Sequence, residues 1–259
     1  MLELQQLSLH IGQQPLVRNL DLQLQPGQLH VLIGPNGTGK TSLLRALFGE
    51  LTPQAGSIRH GGETLSRLQL ARWRRRFGYM PQNIQLELDL SVLEVVVLGR
   101  LDSLGMRLSD DDILAALGAL QALGIAQLAD RPMYSLSGGQ RQMVLFAQVL
   151  LRDPQIMLLD EPVSALDLQH QMQLMEHLHR QTRAKGWISL VVLHDLNLAA
   201  QYADQLIVLA GGELQAFGPP AEVLTPELIS RLYRVPVDIL HDRDGSPFIR
   251  TLRPESLPA

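Results

Sequence analysis

Residues 29–49 read LHVLI (29–33), GPNGTGKT (34–41) and SLLRALFG (42–49) without interruption. The first run has the length and apolarity of a buried strand, and the last has the pattern of a helix. Between them stands the glycine-rich turn of a P-loop, in the strand-then-helix context that gives the motif its meaning. Glycines let backbone N–H groups curl around phosphate oxygens, and the helix starting near Lys40 adds the positive end of its dipole. Lys40 is placed to neutralise β- and γ-phosphates, and the Thr41 hydroxyl to ligate Mg²⁺. Gly34, Pro35, Asn36, Gly37, Thr38, Gly39, Lys40, Thr41 and Ser42 are therefore the candidate nucleotide-binding residues, with Thr38 and Ser42 as lesser contributors.

Outward from this loop, apolar runs recur at Leu29–Ile33, Ile156–Leu159 and Leu190–Leu193, with helix-patterned segments between them. That alternation predicts an α/β fold whose mostly parallel sheet is covered by helices. The second run ends in Asp160-Glu161. Ligands gather at the carboxyl ends of strands in such sheets, so the two acids can take different tasks. Asp160 would hold the magnesium through a water, and Glu161 would accept a proton from attacking water. An acidic pair after an apolar run also reads as a helix cap or turn; the P-loop upstream favours the catalytic reading.

Leu136-Ser-Gly-Gly-Gln140 opens a helix-patterned stretch, RQMVLFAQVLLRD, that Pro154 stops. Ser137, Gly138, Gly139 and Gln140 form either a second anion-binding helix start or a plain capping turn. Two phosphate-reading elements and one lysine suggest a composite site completed by a second copy. His194, at the end of the third apolar run, reaches the γ-phosphate or is a satisfied structural histidine.

Elsewhere, Leu20, Leu22 and Leu24 alternate with Asp21, Gln23 and Gln25 before the Pro26-Gly27 turn, which predicts a small antiparallel sheet at the N-terminus. Ser109 and Asp112 cap a helix whose apolar face is Ile113, Leu114, Leu117, Leu120 and Leu123, with Gly124 as its stop. Weak strand signals from about 83 to 150 place a helical subdomain there, inserted between core strands. The division expected is an ATPase domain over 1–225 and a C-terminal extension over 226–259, with a short helix capped by Thr225 and a hairpin turning at Asp244-Gly245. That extension reads as an appendage.

Bulk properties narrow the class. The chain has 259 residues, 46% hydrophobic content and a net charge of -4, so nothing in its overall field points to nucleic acid. The arginines at 67, 72, 74, 75 and 76 read as a solvated face. Zero cysteines exclude disulfides and thiolate chemistry and fit a reducing compartment. The start lacks a secretory pattern, and no apolar run approaches the ~20 residues that span a bilayer.

The ordered set GPNGTGKT, Gln82, LSGGQ, IMLLDEP, SALD (164–167) and His194 resembles the ATP-binding subunits of ABC transporters over about residues 2–236. The resemblance implies a P-loop core with an N-terminal antiparallel β subdomain and an inserted helical subdomain. It implies that Gln82 contacts magnesium or the attacking water, that Ser164–Asp167 crosses a dimer interface, and that His194 contacts the γ-phosphate. It further implies a homodimer holding ATP between the P-loop of one copy and the LSGGQ of the other, bound to transmembrane permease subunits at the cytoplasmic face of the inner membrane. An extracytoplasmic substrate-binding protein would act on it indirectly.

VVVLGR (95–100), SALDLQHQ (164–171), LHDLNLAAQYAD (193–204) and PPAEVLTPELI (219–229) are similar to importers of ferric siderophores, haem or cobalamin. Iron(III)-siderophore import is the first expectation; haem or cobalamin import comes next, then an exporter or a soluble ABC ATPase. Leu9, His10 and Ile11 stand where the family often has an adenine-stacking ring, which makes His10 the substitute candidate. LDSLGM (101–106) lacks an expected proline, and Gln148 replaces a common arginine.

Overall fold

The computed structural model describes residues 1–12, 14–82, 89–100, 109–243 and 245–253. The chain begins with strands β1 (Leu2–Ile11), β2 (Gln14–Leu24) and β3 (Gln28–Ile33), then helix α1 (Lys40–Leu47). β4 (Ala55–His60), β5 (Glu63–Thr64), α2 (Leu70–Arg74) and β6 (Phe77–Met80) follow. A helical stretch contributes α3 (Val92–Val97), α4 (Asp110–Ala122) and α5 (Gly138–Leu151). Next come β7 (Ile156–Asp160), α6 (Leu168–Lys185), β8 (Ile188–Val192), α7 (Leu196–Tyr202), β9 (Gln205–Ala210) and β10 (Glu213–Gly218). The chain closes with α8 (Pro220–Val223), α9 (Pro226–Tyr233), β11 (Val237–His241) and β12 (Pro247–Thr251).

The three apolar runs become β3, β7 and β8 at the centre of a sheet ordered β10-β9-β3-β8-β7-β6, parallel except for β10. Burial on both faces explains why these strands read as unbroken apolar runs. Alternate residues serve different cores. Leu29, Val31, Ile33, Met157, Leu159 and Val191 join the core shared with α5 and α6. Leu32, Ile156, Leu158, Leu190 and Val192 meet α1 and the N-terminal sheet. That second sheet, β2-β1-β4-β5, is antiparallel, and its β2 buries the alternating Leu20, Leu22 and Leu24 as the sequence pattern requires.

Between β6 and β7 the described residues carry helices and one isolated bridge, Ser91 to Pro132. Ser91, Ser109 and Ser137 each close a capping box with Glu94, Asp112 and Gln140, satisfying backbone donors that a helix start leaves open. The face expected for α4 is corrected at Leu114, which is 65% exposed, whereas Leu120 and Leu123 are buried. The LDSLGM segment lies outside the described residues.

Two expectations change. The arginine run is not one solvated face: Arg74 donates to the carbonyls of Phe48 and Gly49 at the end of α1 and lies over the Phe48 ring, while Arg76 pairs with Glu63 at 2.5 Å. Nor is the C-terminal segment a loose appendage. Thr225 caps α9, the hairpin pairs Ile239 with Ile249, and Val237 and Ile249 enter the main core. Asn197 of α7 donates to Ile249 O at 3.2 Å and accepts from Ile249 N at 2.7 Å, so the hairpin is held as an added strand would be. Asp244, half of the expected turn, lies outside the described residues. No helix among the described residues is long and apolar enough to cross a membrane.

Candidate active site

β3 carries the chain to Gly34, and α1 begins at Lys40, so the loop between them sits at the carboxyl end of the central strand. Gly39 has φ 92°, and a Cβ there would lie 2.8 Å from the Leu16 carbonyl oxygen, so a side chain is excluded by both conformation and space. Thr38 Oγ1 donates to Pro35 O at 2.9 Å and pins the turn. Lys40 is 6% exposed, and its Nζ donates to the carbonyls of Gly34 and Pro35 at 2.7 and 2.8 Å. Burial lowers its pKa, and the carboxylates of Glu161 and Asp160 oppose that fall.

The acidic pair divides as its position at the end of β7 suggests. Asp160 is fully buried, and neither carboxylate oxygen has a hydrogen-bond partner of good geometry. Burial raises its pKa, with the nearby Thr41 hydroxyl and Lys40 ammonium acting in the other direction. An orphaned, buried carboxylate beside a threonine hydroxyl is the donor set of a hard, oxygen-seeking divalent cation, so Thr41 and Asp160 fit Mg²⁺.

Glu161 turns away from the strand through a left-handed backbone, φ 52°. Its Oε1 lies 2.5 Å from His194 Nε2. The register explains the meeting. β7 and β8 are parallel neighbours with Asp160 opposite Val192, so the residues just past each strand end stand side by side although 33 positions separate them.

Asn36, Gly37, Thr38, Gly39, Lys40, Thr41, Ser42, Gln82, Glu161 and His194 line one open cleft of about 440 Å³. Ile11, from the segment where an adenine-stacking ring is expected, and Leu16, which no sequence pattern singled out, complete its wall. His10 does not line the cleft; its backbone N–H donates to Gln54 and its Nδ1 is buried without a partner. Ile11, 55% exposed, is the residue of that segment that faces the opening. Ser137, Gly138, Gly139 and Gln140 are absent from the cleft wall, and Ser137 and Gly138 are exposed at the start of α5. A second, more enclosed cavity of about 220 Å³ between Gly49, Ile58 and Leu70 brings together no catalytic groups.

A phosphate loop at the centre of a mostly parallel sheet, with carboxylates at the end of the next strand but one, makes the chain a P-loop ATPase. The chain belongs to the ABC transporter family, whose model matches residues 17–164. The ferric enterobactin transport ATP-binding protein FepC of Escherichia coli K12 is 40% identical over 248 residues, covering 95% of this chain and 92% of that protein. The hemin import ATP-binding protein HmuV of Bordetella avium is 38% identical, covering 97% and 99%. Among solved structures, a metal-chelate type ABC transporter in an inward-facing conformation superposes with a TM-score of 0.83 at 27% identity, covering 99% and 98% of the chains. A dimeric ATP-binding cassette bound to ADP and Pi superposes at 0.78, also at 27% identity, covering 85% and 98%.

Proposed function

We propose that this chain is the ATP-binding and hydrolysing subunit of an importer, with iron(III)-siderophore complexes as its cargo. The contact between Glu161 and His194 in the mouth of the P-loop cleft carries the hydrolytic part of this reading. Likeness to a ferric enterobactin protein along 95% of the chain supports the cargo. Haem import is the second reading, favoured by the hemin import relative that aligns along 97% of the chain.

In this account the loop N–H groups of Asn36, Gly37, Thr38 and Gly39 and the Lys40 ammonium hold the β- and γ-phosphates of ATP. Thr41, Asp160 and Gln82 would hold Mg²⁺, whose charge would offset that of the phosphates. Ile11 and Leu16 offer an apolar wall to the base. Glu161 Oε1 accepts a proton as water oxygen bonds to the γ-phosphorus, and the bond to ADP breaks in line with that attack. His194 Nε2 orients the Glu161 carboxylate and faces the transferring group.

The exposed helix start at Ser137–Gln140 lies outside the cleft, so it serves nucleotide held by a second copy, which makes the working unit a homodimer. As the ATP-binding subunit of an importer, the chain acts on permease subunits at the cytoplasmic face of the cell membrane, a reading supported by its likeness to import ATP-binding proteins. A substrate-binding protein outside the membrane would deliver the cargo. Purification of the tagged subunit from membranes tests this assembly. Recovery of a multi-span permease in stoichiometric amount is expected, and recovery without any membrane protein would overturn it.

A further inference from the structure

Gln142 belongs to none of the motifs read from the sequence, yet it is 8% exposed and both ends of its amide are engaged. It lies on α5, one turn after the exposed helix start, and reaches across to the segment that follows β7. Its Nε2 donates to Glu161 O at 2.9 Å, and its Oε1 accepts from Ala165 N at 3.1 Å. Gly139 allows this approach: a Cβ there would lie 2.8 Å from the Ala165 carbonyl oxygen. Glu161 needs such support, because its φ of 52° is a conformation that a residue with a side chain holds only when its surroundings fix it. Its carbonyl also accepts from Ser164 Oγ and N at 3.1 and 3.3 Å, and its N–H donates to Val192 O at 3.2 Å.

We infer that Gln142 is a positioning residue for hydrolysis: its amide clamps the left-handed peptide of Glu161 and so aims the carboxylate at His194 and the cleft. The inference rests on Glu161 being the base. The Gln142 amide is engaged by Glu161 O and Ala165 N, and Gln142 does not line the phosphate cleft. Its effect on the chemistry passes through Glu161, while its second hydrogen bond holds Ala165 N, so its loss should affect the chemical step and not nucleotide binding.

The test is Gln142→Met in the full chain, which keeps volume and removes both hydrogen bonds, measured beside Glu161→Gln and the double variant. Glu161→Gln should lose turnover. Gln142→Met should keep its ATP Kd while kcat falls by about tenfold to a hundredfold, as misaimed catalytic groups do. In the Glu161→Gln background the same change should alter the residual single-turnover rate by less than about twofold, since one residue acts through the other. Gln142→Glu keeps an acceptor for Ala165 N, replaces the donor with a carboxylate oxygen that the Glu161 carbonyl repels, and gives the same reading if Gln142→Met does not fold. Wild-type kcat in Gln142→Met beside an inactive Glu161→Gln would overturn this inference alone. So would a further multiplicative loss in the double variant. Normal turnover of Glu161→Gln would overturn the assignment of the base and this inference with it.

Discussion

His194 Nε2 lies 2.5 Å from Glu161 Oε1, and the two come from neighbouring parallel strands whose ends open on the phosphate loop. A carboxylate held by an imidazole has a fixed direction and a partner for the proton it receives. Removing the proton acceptor while keeping the side-chain shape should therefore separate binding from chemistry. For Glu161→Gln we expect ATP affinity within about twofold of wild type and turnover lower by about 10²–10⁴, the usual contribution of a general base. Steady-state ATPase assays with equilibrium nucleotide binding check this, and turnover above a tenth of wild type would contradict it.

Lys40→Ala should act on the other half of the split. Charge-assisted hydrogen bonds to phosphate contribute roughly 1.5–3 kcal/mol each, so ATP affinity should fall by about tenfold to a hundredfold. Titration with a fluorescent ATP analogue reads the loss directly.

The phosphate loop was legible in the sequence because its parts are contiguous. Strand, turn and helix follow one another over residues 29–49, and each flank carries its own periodicity. The end of β7 was legible for a related reason: an apolar run buried on both faces can stop only where polar residues meet solvent or ligand. Other features depend on register and packing, which no local pattern encodes. That His194 meets Glu161 follows from Asp160 standing opposite Val192. That Ile11 and not His10 faces the cleft follows from the path of β1 at its pairing irregularity with β2, where Leu9 lies opposite Val17 but His10 lies opposite Pro15. Leu114 misled because α4 buries only a narrow stripe around Ala116 and Leu120, leaving an apolar residue on the outside.

The C-terminal hairpin supplies a stability prediction. Asn197 makes two hydrogen bonds to Ile249, each contributing roughly 0.5–1.5 kcal/mol, so Asn197→Ala should destabilise docking of residues 237–251 by about 1–3 kcal/mol. Hydrogen exchange at the backbone amides of β11 and β12 should accelerate while the amides of β3, β7 and β8 stay protected. Equal acceleration in both groups would mean that the hairpin is not a separately opening unit.

Burial of His30 supplies a pH dependence. Desolvation lowers its pKa from 6.5 to about 4, against the opposing hydrogen bond to Ser189 O. The neutral ring satisfies both nitrogens: Nδ1–H donates to Ser189 O, and Nε2 accepts from Gln25 N. Between pH about 4 and 6.5 the unfolded chain binds a proton at this site and the folded chain does not. Stability should therefore fall as pH drops through that window, by on the order of 3 kcal/mol for the site. Denaturant titrations from pH 7 to 4 should show this slope in wild type and a flatter one in His30→Gln.

The most direct test of the account measures ATP turnover of the purified membrane complex in lipid nanodiscs, with its substrate-binding protein added empty or loaded with ferric siderophore or haem. The account predicts turnover raised severalfold by the ferric siderophore form and abolished by Glu161→Gln in either condition. Stimulation by haem alone would move the cargo to the second reading. Turnover indifferent to every loaded binding protein, or retained in Glu161→Gln, would contradict an importer powered by this site.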